Sequence, residues 1–113
     1  MKILLVDDEE DMLFVLTQSF EGLGYQYETA MSGEEALEKI PDFDPDVIFT
    51  DFNMTGMNGL DLAKESKHIK PDVKVFLHTG NDKIKSEDRK YFHKIFLKPV
   101  LSLELIKALK ELG

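Results

Sequence analysis

Five positions in this chain put a reactive side chain directly after an apolar run: Asp7 and Asp8 follow KILLV, Asp51 follows VIFT, Thr79 follows VFLH, and Lys98 follows KIFL with Pro99 behind it. Bare carboxylates brought together repel by about 4 kcal/mol per pair at 4 Å in an effective dielectric near 20, so a positive group must sit among them. An oxygen-only ligand set suits a hard cation. Mg²⁺ in particular is held by one or two carboxylates, with water and phosphate oxygens completing its octahedron. Asp7, Asp8 and Asp51 would supply that partial shell. A carboxylate is also a nucleophile that can form an acyl phosphate. An incoming phosphoryl group would then need a counter-charge, which Lys98 offers, and a hydroxyl such as that of Thr79 to bond one of its oxygens.

These side chains can meet only if the runs before them are strands of one sheet. Short runs rich in branched residues predict strands over Lys2 to Val6, Tyr25 to Thr29, Asp46 to Thr50, Val73 to His78 and Lys94 to Leu97. Helical spacing lies between them. Met12, Leu13, Leu16, Phe20 and Leu23 form one stripe, ended by Gly22 and Gly24. Ser32 with Glu35 makes a capping-box pattern for a second helix ending before Pro41, and a third runs from about Gly59 to Ile69, closed by Pro71. A fourth, around Asp82 to Phe92, is polar with poor periodicity. The last carries Leu101, Leu105, Ile106, Leu109 and Leu112 at core-facing intervals. Strict alternation of strand and helix predicts a doubly wound α/β fold, because a parallel strand needs a crossover and crossovers are right-handed. In such a sheet ligands bind beyond the carboxyl ends of the strands, where all five residues fall. Asp51 is the best placed nucleophile, ending a strand expected near the middle of the sheet, ahead of a loop carrying Gly56 and Gly59.

At 113 residues the chain suits one domain, and 42% hydrophobic with 32% charged residues argues against disorder. The net charge of −8 argues against direct binding to nucleic acid or an anionic membrane. Without cysteine there is no disulfide, thiolate metal site or cysteine nucleophile. No apolar run has the length of a membrane span, and acids interrupt MKILLVDDEE too early for a signal peptide, so a cytoplasmic protein is expected.

The five fragments, in order, resemble the receiver domain of two-component response regulators: VDD at Val6 to Asp8, FTD at Phe49 to Asp51, Gly59, HTG at His78 to Gly80, and LKP at Leu97 to Pro99. The resemblance covers the whole chain, residues 1–113, as a single receiver domain with no output domain. It implies a flavodoxin-like fold, a five-stranded parallel sheet of strand order 2-1-3-4-5 with five helices. It further implies that Asp51 is the phosphoacceptor, taking phosphoryl from a histidine kinase or a histidine phosphotransfer protein. Asp8 would hold Mg²⁺, or Mn²⁺ in its place, directly and Asp7 partly through water, with Asp51 and the Asn53 backbone carbonyl completing the site. Lys98 would bridge to the phosphoryl group, Thr79 would move toward it as the switch, and the Lys98–Pro99 bond would be cis. The phosphorylated surface would bind a downstream protein.

The chain also departs from the family pattern. Ile95 stands where an aromatic residue usually swings inward, Thr55 replaces the usual proline, and the stretch from Thr79 to Lys98 is short. A degenerate receiver, binding a partner regardless of phosphorylation, is therefore an alternative. An aspartyl-phosphate phosphatase would also join a nucleophilic Asp to Mg²⁺, but Asn53 occupies the place of its general acid. Glu9, Glu10 and Asp11 are expected to decorate a helix N-terminus. His68, His78 and His93 show no metal-ligand spacing and carry no assigned chemistry, with His78 expected to pack or bond locally. Met54 and Met57 flank the proposed site in a loop, either covering it or packing the loop.

Overall fold

The computed structural model describes residues 1–81 and 83–113. Five strands, β1 (Lys2–Val6), β2 (Gln26–Ala30), β3 (Val47–Asp51), β4 (Lys74–Thr79) and β5 (Lys94–Leu97), form one parallel sheet in the order β2-β1-β3-β4-β5. Parallel strands covered on both sides need apolar side chains on both faces, and β3 is buried at every position. Alternation sorts those side chains between two cores. Ile3, Leu5, Val47, Phe49 and Phe76 join the core under the first and last helices, while Leu4, Val6, Ile48, Val75 and Leu77 join the one under the second and third. β2, at the sheet edge, exposes its first three residues.

The helices follow their sequence signals with local corrections. α1 (Glu10–Gln18) buries Leu13 and Leu16 but stops short of Gly22. Bonds to the third preceding residue take over from Ser19, and Gly22 and Gly24 adopt positive φ in the turns that follow, leaving Leu23 exposed. α2 (Gly33–Phe43) starts at Ser32, whose side chain accepts the Glu35 N–H at 3.0 Å, while Glu35 accepts the N–H of Met31. It does not end before Pro41. The proline lies in the last turn, where its fixed φ is already helical, and the helix closes at Asp44, whose φ is 53°.

α3 (Gly59–Ile69) has a full capping box between Asn58 and Asp61. The fourth expected helix is a short 3₁₀ helix, Ser86–Tyr91, which buries none of its residues, and Asp82 lies outside the described residues. A polar segment with no apolar stripe has no face to dock, so little rewards a longer α-helix there. α4 (Ser102–Glu111) buries Leu105 and Leu109, but Leu101 is its N-cap and is exposed rather than core-facing. Among the described residues no helix is long and apolar enough to cross a membrane.

The strand order reverses between β1 and β3, the two strands that carry Asp7 and Asp51. Gly59 presses the start of α3 against the end of β3. Its N–H donates to Phe52 O, and a Cβ placed there would lie 2.6 Å from the Asp51 carbonyl oxygen and 3.0 Å from Phe52 Cα. Backbone of this kind cannot yield cheaply. Helix propensity alone favours alanine over glycine by about 1 kcal/mol, yet Gly59→Ala should lower stability by about 2 kcal/mol through overpacking. Urea unfolding measures the sign, and a neutral or stabilised variant would show that α3 can step back from β3.

Candidate functional site

Asp7 continues β1 by one backbone bond, its N–H donating to Ala30 O at 3.1 Å, and its side chain is only 1% exposed. Its Oδ1 accepts the Glu9 N–H at 2.9 Å. That bond turns the chain at once, before α1 begins, and Glu9 serves as the N-cap residue of that helix. Carboxylate oxygens of Asp7, Asp8, Glu9 and Asp51 all lie within 4.8 Å of one another. Glu9 was expected only as a helix-end acid. Five consecutive acids conceal which of them the turn folds back, and sequence spacing alone carries no signal for it.

Asp51 ends β3 with 3% exposure, opposite His78 in the register of β4. Lys98 Nζ stands 3.0 Å from its Oδ1, an ion pair by distance. No donor among the described residues meets that oxygen at a hydrogen-bonding angle, so charge attraction carries the contact. Burial alone would lower the Lys98 pKa; the contact with Asp51, and the charges of Asp7 and Glu9, outweigh it and hold the ammonium above its usual value. Asp8 is half-buried, and its Oδ2 accepts the Thr55 N–H at 3.2 Å, tying the loop after β3 to the end of β1. Asn53 lies exposed within that loop.

Thr79 is 3% exposed at the end of β4, and its hydroxyl donates to Asn81 O at 2.9 Å. Its own carbonyl accepts the Lys98 N–H at 2.8 Å, and the Lys98–Pro99 peptide bond is cis. Ile95 is half-buried and packs, together with Tyr91, against the core under α2 and α3. Met54 and Met57 pack partly against the same core, and the Met57 thioether lies over Gly33 at the start of α2. His78 is buried against Phe49, its ring centroid 5.3 Å away, and burial pushes its pKa down to about 4.

Among the described residues, four carboxylates, one ammonium and one hydroxyl thus line the carboxyl edge of the sheet. The donor set is all oxygen, one buried carboxylate oxygen lacks an aligned donor, and such a site fits a hard divalent cation. The cost of gathering these carboxylates is visible at Asp7, whose carboxyl is raised from 3.8 to about 6, mainly by burial, with the Glu9 N–H opposing and the Asp51 charge adding. A carboxyl whose folded pKa exceeds its unfolded value takes up a proton on folding, so its charged form opposes folding above about pH 6 and ceases to do so toward pH 4. Asp7→Asn keeps an acceptor for the Glu9 N–H. In cation-free buffer it should raise stability near neutral pH by about 1–2 kcal/mol, with the gain gone near pH 4. Denaturant unfolding at the two pH values checks this, and equal stabilities near neutral pH would refute it.

A family model described as response regulator receiver domain matches residues 3–110. The chain is 36% identical over 81 residues to the alkaline phosphatase synthesis transcriptional regulatory protein PhoP of Bacillus subtilis, covering 72% of this chain and 34% of that protein. It is 33% identical over 79 residues to sporulation initiation phosphotransferase F of the same organism, covering 70% and 64%. The match therefore spans less than two thirds of either relative. Among solved structures, response regulator protein TrrA of Thermotoga maritima, in complex with Mg(2+)-BeF, superposes with a TM-score of 0.89 at 32% identity, covering 99% of this chain and 98% of that one. Chemotaxis protein CheY4 of Vibrio cholerae gives 0.86 at 26% identity, covering 99% and 98%.

Proposed function

This chain belongs to the family of response regulator receiver domains, and from that premise we propose that it is a phosphoacceptor switch of a two-component or phosphorelay system, with Asp51 as the acceptor. Receiver domains take their phosphoryl group from histidine kinases or phosphotransfer proteins. The observation that supports Asp51 most directly is its Oδ1, buried at a strand end, 3.0 Å from an ammonium and without an aligned donor. A carboxylate oxygen of Asp51 attacks phosphorus, a new O–P bond forms, and the N–P bond of the partner's phosphohistidine breaks with its electron pair returning to the imidazole nitrogen.

Asp7, Asp8, Asp51 and the Asn53 carbonyl would hold Mg²⁺, or Mn²⁺ in its place, and Glu9 is close enough to add a water-mediated contact. The cation supplies charge neutralisation for phosphoryl oxygens approaching an acidic rim. Lys98 does the same from the other side, aimed by its backbone bond to Thr79 O. Thr79 trades its Asn81 acceptor for a phosphoryl oxygen, releasing the start of the loop that leads to the 3₁₀ helix. Ile95, packed beside Tyr91, would feel that release in place of a swinging aromatic ring. A downstream protein that binds the rearranged surface then draws the population toward it. The −8 charge favours a protein target over nucleic acid, and the cytoplasm, where phosphohistidine donors form, is the proposed location.

Beryllofluoride with Mg²⁺ should shift amide NMR signals at Asp51, Thr79 and Lys98 in the wild-type chain. Asp51→Asn should abolish both that response and the mass increase produced by acetyl phosphate, while Lys98→Ala should keep the fold and slow phosphorylation by about tenfold or more. An unresponsive wild type, or the same shifts in Asp51→Asn, would sink the proposal.

A further inference from the structure

The turn that aims Lys98 is fastened to β4 at two successive residues, by two different kinds of bond. β5 pairs with β4 through Leu97, opposite Thr79, and there the regular ladder ends. The Lys98 N–H still finds a backbone acceptor, Thr79 O, at 2.8 Å. Pro99 has no N–H to give, and β4 offers no further strand residue, since the chain turns away through Gly80 with the Thr79 hydroxyl bonded to Asn81 O. The next donor, Val100 N–H, goes instead to a side chain, His78 Nε2, at 3.3 Å.

We propose that His78 is a positioning residue for phosphoryl uptake: its imidazole replaces the missing strand backbone as acceptor for Val100 N–H, clamps residues 98–100 to β4, and so keeps the Lys98 ammonium over Asp51. The role rests on the phosphoacceptor reading above. Accepting from Val100 fixes the ring's neutral tautomer, with the hydrogen on Nδ1, and that N–H is buried with no partner among the described residues. A group chosen only for packing would not leave a polar atom unsatisfied in an apolar core, where leaving it so is costly. The ring is held where it is by Phe49, 5.3 Å away, and by the strand register that sets His78 between Asp51 and Phe96. Val100 in turn packs partly against the core under α1 and α4, the same core that holds Phe49, so the clamp and the core hold the turn from one side of the sheet.

His78→Met replaces the imidazole acceptor with a much weaker thioether in a side chain of similar bulk; His78→Gln offers an amide oxygen near the place of Nε2. With acetyl phosphate as donor, His78→Met should take up phosphoryl about tenfold more slowly than wild type, equivalent to about 1.4 kcal/mol, and His78→Gln should recover to within about threefold. In a Lys98→Ala background the His78→Met change should add nothing, because the residue acts through Lys98. Hydrogen exchange reads the bond itself, even if His78→Met folds poorly: the Val100 amide should be protected in wild type and in His78→Gln. An unprotected wild-type amide, an unchanged rate in His78→Met, or the same slowing with and without Lys98 would overturn the proposal. A wild-type chain inert to the donor would sink the phosphoacceptor reading and the positioning role together, whereas an active wild type with an unaffected His78→Met sinks the positioning role alone.

Discussion

Everything at the carboxyl edge of this sheet answers to one constraint, the mutual repulsion of carboxylates that the fold forces together. Asp7, Asp8, Glu9 and Asp51 share a space in which their oxygens lie within 4.8 Å. The chain meets this in two ways. The Lys98 ammonium offsets part of the charge, and Asp7 shifts its affinity for protons upward. Neither removes the frustration, which a hard cation among these oxygens would relieve. Stability that the fold forgoes here is recovered in the two apolar cores, which are large relative to the rim.

The scaffold is built to keep that frustrated geometry from relaxing. β1 and β3 are buried along nearly their whole length, so the residues at their ends cannot slide apart without dragging core side chains into water. Gly59 brings the third helix hard against the Asp51 carbonyl, and Thr55 pins the intervening loop to Asp8. The segment between β4 and β5 is built differently. Among the described residues it carries one 3₁₀ helix with no buried residue, with Tyr91 under the Lys64 and Lys90 ammonium groups, Ile84 partly packed against the core under α2 and α3, and Phe92 within that core. A fully buried strand end thus adjoins a surface segment whose described 3₁₀ helix buries no residue.

The sequence announced the inner strands, their parallel direction and the residues at their ends, because burial on two faces leaves uninterrupted apolar runs and polar residues can resume only where a strand stops, while the strand order came with the family resemblance. It was less informative where a feature depends on how the chain turns. Pro41 looked like a terminator, yet in a last turn it is tolerated; Leu101 matched a helical stripe but falls one residue before its helix. Glu9 was indistinguishable from its acidic neighbours until the Asp7 carboxylate was seen to bend the backbone around it. His78 carried no motif at all. Its value lies in a donor 22 residues away in sequence, and such a pairing is invisible to any reading of local pattern.

The sheet also divides the interior into two apolar compartments with no side chain in common, one beneath α1 and α4 and the other beneath α2 and α3. Substitutions on opposite sides pack against different side chains and meet only through the sheet backbone, so their effects on stability should combine with little coupling. Each side can therefore drift in sequence on its own, so one flank could be remodelled to suit a new partner while the other keeps the acidic rim in register.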